Sequence, residues 1–416
     1  MKILLHGIFF PPVLTGVGKY TGEMAEWLTA RGHEVRVVTA PPYYPEWRVS
    51  PGYRADRYAT DRWHGARVWR CPVWVPAQPG GLKRLLHLAS FATASFPVML
   101  RQVPWRPNVV WVVEPPLFCA PTGWLVARLC GAQAWLHVQD YEVDAAFDLG
   151  ILRGAAIRCM ASVLERCLMG RFDRVSTISQ RMLEVAQAKG VPPGRLVSFP
   201  NWVDVAELAP PEGPNPVRQE LGIAPDEIVA LYSGTMGRKQ GLELLAQAAH
   251  RLQDGSGVVF VFCGDGAGRE ELVALCDGLP NVRFLHLQPL ERLGALLGMA
   301  DIHLMPQQAG AADLVMPSKL TGMLASGAPV VATCAEGTEL ARVVAGRGLI
   351  VPPGDADALA GAIRALADDK NLRARLGANA RDYAERHLSR DKVLAAFEKA
   401  LENALGASCG RADGAE

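Results

Sequence analysis

The stretch AADLVMPSKLTGMLASGAPVVATCAEGTE, residues 311–339, reads as a loop, a helix and a buried strand in succession. Pro317 fixes the backbone and Ser318 is free to cap, so a helix opens at that pair. Lys319 to Ala325 continues it, and Gly327 with Pro329 stops it. Pro329 to Thr333 is then a short apolar run of strand type. A helix N-terminus that follows an acidic loop and faces the C-terminal ends of parallel strands seats an anionic ligand, because unpaired backbone N–H groups point outward there. A plain αβ unit of a layered sandwich, with no ligand, carries the same pattern.

The alternation extends upstream. Ile228 to Ser233 and Val258 to Cys263 are apolar runs of strand length, followed by the turns GTMGRKQG (234–241) and Gly264-Asp265-Gly266. Further strands are expected at Val282 to Leu285 and Ile302 to Met305, with helices over Leu242 to Leu252 and Leu290 to Met299. Leu349 to Val351 is the last strand; from Asp355 to about Ala407 the chain reads as helix, broken near Asn371 and between His387 and Asp391.

A first αβ series precedes this one. Lys2 to Phe10 is a buried strand, the turn PPVLTGVGKY carries Gly16 and Gly18, a helix runs from about Tyr20 to Ala30, and Glu34 to Thr39 is the next strand. The dinucleotide fingerprint G-x-G-x-x-G fails, because Thr21 stands where the third glycine belongs and Gly22 comes one position late. This disfavours an NAD-dependent oxidoreductase, while two glycines in the turn still let backbone N–H groups approach a phosphate. Strands follow at Val109 to Val113, Ala134 to Val138, Val175 to Ile178 and Leu196 to Phe199, with helices over Leu152 to Gly170 and Ser179 to Lys189. Proline, glycine and acidic residues dominate Pro210 to Pro225, a linker composition. The fold class is therefore α/β, with two doubly wound Rossmann-like domains over 1–205 and 206–385 facing a central cleft, and a C-terminal helix and tail over 386–416 expected to pack back on the first.

A chain of 416 residues exceeds what one core usually serves. Lys plus Arg is 43 against Asp plus Glu at 42, a net charge of +1, so no basic field argues for a nucleic-acid partner. The nine cysteines are scattered singly, mostly in apolar segments and with no CxxC pair, which suits a reducing cytoplasm and not a structural zinc. The opening MKILLHGIFFPP lacks the pattern of a signal peptide, and the longest apolar stretch, Leu85 to Leu100, holds His87 and Pro97, against a spanning helix.

Three segments carry candidate chemistry. In GTMGRKQG, Gly234 and Gly237 allow close backbone approach while Arg238 and Lys239 place two cations ahead of a helix, which together describe a diphosphate site; a solvated turn with two surface charges is the alternative. Residues 40–81 are rich in proline, aromatics and arginine, either an acceptor-binding wall or a packed loop with a hairpin around Ala66 to Val75. In Leu82 to Arg101, the cations Lys83 and Arg84 precede Leu85, Leu86 and Phe91, so this helix either lies in an anionic membrane interface or packs as core.

Taken together, GVGKYTGEMAEWLTARGHEVRVVTA (16–40), YSGTMGRKQGLELL (232–245), VFCGDG (261–266) and MPSKLTGMLASGAPVVAT (316–333) followed by GTE resemble the retaining GT-B glycosyltransferases of family 4 over nearly the whole chain. APPYYPEWRV (40–49) and LHVQDYEVDAA (136–146) are further similar to the exopolysaccharide enzymes of the colanic acid biosynthesis type, read as fucosyltransferases. The resemblance implies that Gly16 and Gly18 approach the donor diphosphate from the first domain and that Lys239, with Arg238, neutralises it from the second. It implies that Gly234, Gly264, Asp265 and Gly266 lie by the nucleotide, and that Pro317, Ser318, Lys319 and Glu339 lie near the diphosphate and sugar.

The sequence departs from that family at several points. Thr235 and Gln240 stand where an arginine and a lysine are frequent, and the paired glutamates of the family are Leu314 and Gly322, leaving Asp313 as the nearby acid. The histidine often found before the acidic strand-end residue is Gln139; His137 lies two residues earlier on the same strand face, so His137 and Asp140 either reach the substrate or pack the strand end. The expected reaction moves a sugar from a nucleotide-sugar donor, GDP-fucose or another GDP- or UDP-hexose, to a lipid-linked oligosaccharide acceptor with retention. The setting is cytoplasmic, peripheral on the inner membrane surface, and no metal or other cofactor is needed where Lys and Arg supply the charge. A nucleotide-sugar epimerase of the same architecture and a non-catalytic sugar-binding subunit are the alternatives.

Overall fold

The computed structural model describes residues 1–13, 16–78, 80–148, 154–209, 213–237, 240–307 and 317–412. The chain forms two compact units, residues 1–200 with 394–416 and residues 201–393.

The first unit runs β1 (Lys2–His6), α1 (Val17–Ala30), β2 (Glu34–Thr39), β3 (Ala59–Trp63), β4 (Ala66–Arg70), α2 (Leu82–Leu100), β5 (Val109–Glu114), α3 (Ala120–Cys130), β6 (Gln133–Val138), α4 (Glu142–Asp148), α5 (Ala155–Met169), β7 (Arg174–Thr177), α6 (Gln180–Ala188) and β8 (Leu196–Ser198). Its sheet has the order β3-β4-β2-β1-β5-β6-β7-β8, parallel throughout except for the β3–β4 pair. β5, VVWVVE, is buried at all six positions, as a strand covered on both faces must be. The strand order reverses between β1 and β5, where folds of this kind open their ligand crevice beyond the carboxyl ends of the strands.

The segment 40–81 is not irregular throughout. It contains the hairpin β3–β4, which lies N-terminal to the Ala66–Val75 position expected for it. Arg70 ends β4 with its guanidinium buried, donating to Asp61 Oδ2 at 2.9 Å and to the Pro11 carbonyl at 2.7 Å. That arginine holds the sheet edge together and is not a wall residue.

The second unit runs α7 (Pro216–Glu220), β9 (Ile228–Ser233), α8 (Leu242–Arg251), β10 (Val258–Cys263), α9 (Arg269–Leu275), β11 (Val282–Leu285), α10 (Leu293–Gly298), β12 (Ile302–Met305), α11 (Lys319–Ala325), β13 (Val330–Thr333), α12 (Glu339–Val344), β14 (Gly348–Val351), α13 (Ala356–Asp368) and α14 (Lys370–Tyr383). The all-parallel sheet has the order β11-β10-β9-β12-β13-β14, with its switch point between β9 and β12. Along β9 the side chains alternate between two cores: Val229 and Leu231 enter one, Ala230 and Tyr232 the other. α11 starts after Ser318 as expected, but that residue is already helical and its hydroxyl makes no cap; Thr321 Oγ1 instead donates to the Ser318 carbonyl at 2.8 Å.

The last helix, α15 (Arg390–Ala412), enters the first unit from Leu394 onward. Phe397 stacks on Phe199 at 4.0 Å and meets Trp135 edge-on at 5.3 Å, while Glu398 accepts from His33 Nε2 at 2.9 Å. No helix among the described residues is long and apolar enough to cross a membrane.

Candidate functional site

In the second unit the turns after β9, β10 and β11 interlock. Gly234 N donates to the Cys263 carbonyl and Gly264 N to the Leu285 carbonyl, both at 3.0 Å; Met236 N donates to the Asp265 carbonyl at 2.9 Å and Gly268 N to the Met236 carbonyl at 2.8 Å. Glycine is required at the crossings. A Cβ on Gly264, whose φ is +151°, would stand 1.9 Å from the Gly234 carbonyl oxygen, and one on Gly266 would stand 2.5 Å from that of Met236. The Asp265 carboxylate accepts from Leu287 N at 2.8 Å and His286 Nδ1 at 2.7 Å, contacts that hold it below the ordinary carboxylate range. It therefore ties the β11 exit to this turn.

Lys319, the first residue of α11, faces the same turn. Its half-buried ammonium lies 4.4 Å from the centroid of the Tyr232 ring, and its Cδ would be 3.4 Å from a Cβ on Gly234. Among the described residues no carboxylate pairs with it, and burial lowers its pKa from 10.5 to about 8. Tyr232 is the fixed platform, its hydroxyl donating to the Thr235 carbonyl at 2.8 Å. On the other side of the switch point Thr333 Oγ1 accepts from Gln307 N at 2.7 Å and donates to the Gln307 carbonyl at 2.9 Å, fixing the exit of β12. Pro317 is half-buried and Ser318 exposed beside this lysine. Glu339 is buried at the start of α12, 3.5 Å from Arg342. Arg238 and Lys239, the cations expected here, lie outside the described residues, as do Asp313 and Leu314.

In the first unit Gly16 occupies the N-cap of α1 with φ +56°. Gly18 packs against Val13, where a Cβ would come within 3.0 Å of the backbone. Gly22 does what the missing third glycine does elsewhere, admitting the helix to the strand exit: a Cβ there would stand 2.1 Å from Pro11 Cγ. Thr21 is therefore no loss to the turn's packing.

His137 and Asp140 have different surroundings. The His137 ring is buried and stacks on Trp111 at 5.0 Å; Nδ1 lies 2.9 Å from Ser176 Oγ and Nε2 2.9 Å from Gln139 Nε2, and burial lowers its pKa to about 3. Asp140 is partly exposed, its pKa raised by burial against the attraction of Arg84. Arg84 acts in the same way on Glu142, whose half-buried carboxyl, raised to about 6 by desolvation, accepts from Leu117 N at 2.8 Å. Glu114, at the end of β5, is fully buried, and its carboxyl is pushed well up by burial and by Glu165. These carboxyls gather where β5 and β6 end, and the sequence names only Asp140 among them because single buried acids leave no periodic trace.

Of the α2 residues expected to face a membrane, Lys83, Arg84 and Leu86 are exposed and Leu85 is half-buried, but Phe91 belongs to the core, 5.8 Å from the His6 ring. His87 is also buried, donating from Nδ1 to the Trp74 carbonyl at 2.6 Å and accepting from the Tyr43 hydroxyl at 2.8 Å. Beside it a cavity of about 590 Å³ opens, lined by Trp47, Arg48, Asp56, Trp74 and Ser90 among others.

A family described as glycosyl transferase 4-like domain matches residues 15–202, and one described as glycosyl transferases group 1 matches residues 215–383. The chain is 45% identical over 408 residues to a protein of Escherichia coli (strain K12) named for colanic acid biosynthesis, the glycosyl transferase WcaI, covering 95% of this chain and 98% of that one. Among solved structures, sucrose-phosphate synthase from Thermosynechococcus elongatus superimposes with a TM-score of 0.74 at 18% identity, over 97% of this chain and 99% of that one. HepE of Anabaena in complex with UDP-glucose gives 0.69 at 15% identity, over 97% and 100%.

Proposed function

Because the chain belongs to the GT-B glycosyltransferases that join a glycosyl transferase 4-like domain to a group 1 domain, we propose that it moves a sugar from a nucleotide-sugar donor to a lipid-linked saccharide acceptor, with retention, in exopolysaccharide synthesis of the colanic acid type. The observation that carries this reading is Lys319, a half-buried ammonium with no carboxylate partner among the described residues, set against the interlocked turns that follow β9 and β10. A diphosphate supplies the missing anion. The nucleotide sugar in the HepE complex and the whole-length similarity to WcaI support the same donor and pathway class. GDP-fucose, or another GDP- or UDP-hexose, is the donor this reading favours.

In this mechanism the bond between the anomeric carbon and the diphosphate breaks as Lys319, Lys239 and Arg238 take up the charge developing on the leaving oxygen. The acceptor hydroxyl attacks from the same face, and its proton passes to a departing phosphate oxygen, so the anomeric configuration is kept. No metal is required where cations of the chain hold the diphosphate. Asp140, beside Arg84 at the end of β6, serves the acceptor, and neutral His137 braces that strand end through Ser176 and Gln139. The cavity beside Trp74 forms the acceptor wall. The acceptor's lipid places the enzyme at the inner face of the plasma membrane.

Titration with GDP, UDP, GDP-fucose, GDP-mannose and UDP-glucose, followed by calorimetry, is expected to show selective binding of one base. No binding of any of the five contradicts the donor assignment. Trp74→Ala is expected to raise the acceptor KM several-fold, the loss of about 1 kcal/mol of aromatic contact, with donor affinity unchanged. An unchanged acceptor KM would remove the cavity from the acceptor path.

A further inference from the structure

α5 is amphipathic the wrong way round for a surface helix. A helix packed on a domain turns its apolar stripe inward and its charges out. Here the buried positions are Glu165, fully enclosed and ion-paired with Lys189, and Met169. The outward positions are Ile157, Met160, Val163 and Leu164, exposed by 43, 69, 59 and 58% respectively. With Cys167, also exposed, they occupy one arc of the helix at spacings of three and four residues. Nothing among the described residues covers this stripe.

The exposed charges of α5 itself, Arg158 and Arg166, are both cationic. Glu165 is the helix's single acid and points inward onto Lys189, which also holds Asp144 at 2.8 Å. Exposed arginines fringe the C-terminal end: Arg166 donates to the Lys189 carbonyl and Arg195 to the Gly170 carbonyl, both at 3.1 Å, and Arg171 lies 4.9 Å over the Trp124 ring. These partners are neutral, so the guanidinium charges stay available to an anion. A second copy of the chain is a poor occupant, since a strip of about three turns falls short of the roughly 800 Å² per partner that a stable interface buries.

We propose that α5 is an interfacial helix that lays Ile157, Met160, Val163 and Leu164 into the surface of an anionic phospholipid bilayer, with Arg166, Arg171 and Arg195 on the headgroups. An apolar strip with a cationic border is the combination such a surface binds. It gives to another helix of the same unit the contact that the buried Phe91 of α2 does not make. The proposal deepens the lipid-linked acceptor reading, but vesicles without acceptor test it separately.

The full-length protein is mixed with vesicles of phosphatidylcholine alone or with added phosphatidylglycerol, and the sedimented fraction is measured. Binding is expected on the anionic vesicles and is expected to weaken as salt is raised. The double variant Met160→Ser with Leu164→Ser should bind roughly tenfold less or weaker still, with its melting temperature unchanged because both side chains are already exposed. Modification of Cys167 in the unaltered protein by a water-soluble maleimide should slow with anionic vesicles, a readout that needs no variant. Equal sedimentation of variant and wild type, or an unchanged Cys167 rate, overturns the proposal. So does protection of Cys167 that rises with protein concentration in the absence of lipid, which assigns the stripe to a second copy. If vesicle binding is lost in the variant while transfer to a detergent-dispersed acceptor persists, the helix is a docking surface and the catalytic reading stands. If vesicle binding holds but no acceptor is glycosylated, the catalytic reading fails alone.

Discussion

Lys319→Ala is expected to weaken nucleoside diphosphate binding between tenfold and a hundredfold, with donor kcat/KM falling in parallel. The change removes one charge-assisted contact, worth about 1.5–3 kcal/mol. The side chain lies on the Tyr232 ring and is not part of the apolar core, so its loss leaves no core cavity. Removal of a half-buried charge should raise the melting temperature of the unliganded protein below about pH 8. The pH dependence separates charge from shape. A diphosphate binds the protonated amine, so affinity should be level below about pH 8 and fall above it. The unliganded protein should respond in the opposite sense: folding lowers this pKa from 10.5 to about 8, the unfolded chain binds more protons in that window, and this lysine's contribution to stability grows as pH rises through it. Isothermal calorimetry across pH 7 to 10 checks the first trend, and the Lys319→Ala protein should lose it. A variant that binds nucleotide as the wild type does would remove the lysine from the donor site.

Gly264→Ala is expected to have the larger structural effect. The added Cβ would sit 1.9 Å from the Gly234 carbonyl oxygen, a backbone atom with no rotamer to escape into, and the φ of +151° is itself a conformation that side chains rarely adopt. The turns after β9 and β10 must separate, breaking the Gly234 N and Met236 N hydrogen bonds that hold them. A loss of about 3 kcal/mol or more in denaturant unfolding is expected, together with loss of nucleotide binding. Gly237→Ala is the control: its Cβ would meet nothing nearer than Gln240 Cγ at 3.8 Å, and a change under about 1 kcal/mol is expected. If the two variants unfold alike, the interlocked turns do not set the site.

Much of the fold could be read from runs of apolar residues. β9 and β10 fall on the residues expected from composition, because a parallel strand buried on both faces is apolar along nearly its whole length. The helix of 319–325 was legible for a similar reason, since Pro317 and Gly327 mark its ends. The site was less legible. Arg238 and Lys239 are the obvious cations of the turn, whereas Lys319 draws its character from Tyr232, a residue 87 positions earlier that only the sheet brings beneath it. The glycine pattern misled in one place: Gly22 reads as a fingerprint missed by one residue, yet the helix packs on Pro11 through it. Phe91 and α5 show a further limit. Periodicity reveals that a helix has two faces, but which face turns inward is decided by partners distant in the chain, here His6 for Phe91 and Lys189 for Glu165.

Sugar transfer itself tests the central claim most directly. The purified protein would be incubated with the nucleotide sugar it binds best and a detergent-dispersed lipid-linked saccharide, and the product's anomeric proton examined by NMR. Release of nucleoside diphosphate that depends on the acceptor, with a new glycosidic bond in the donor's anomeric configuration, is the predicted result. A product of inverted configuration would contradict the same-face mechanism, and a donor that is bound but never transferred to any lipid-linked saccharide would contradict the function.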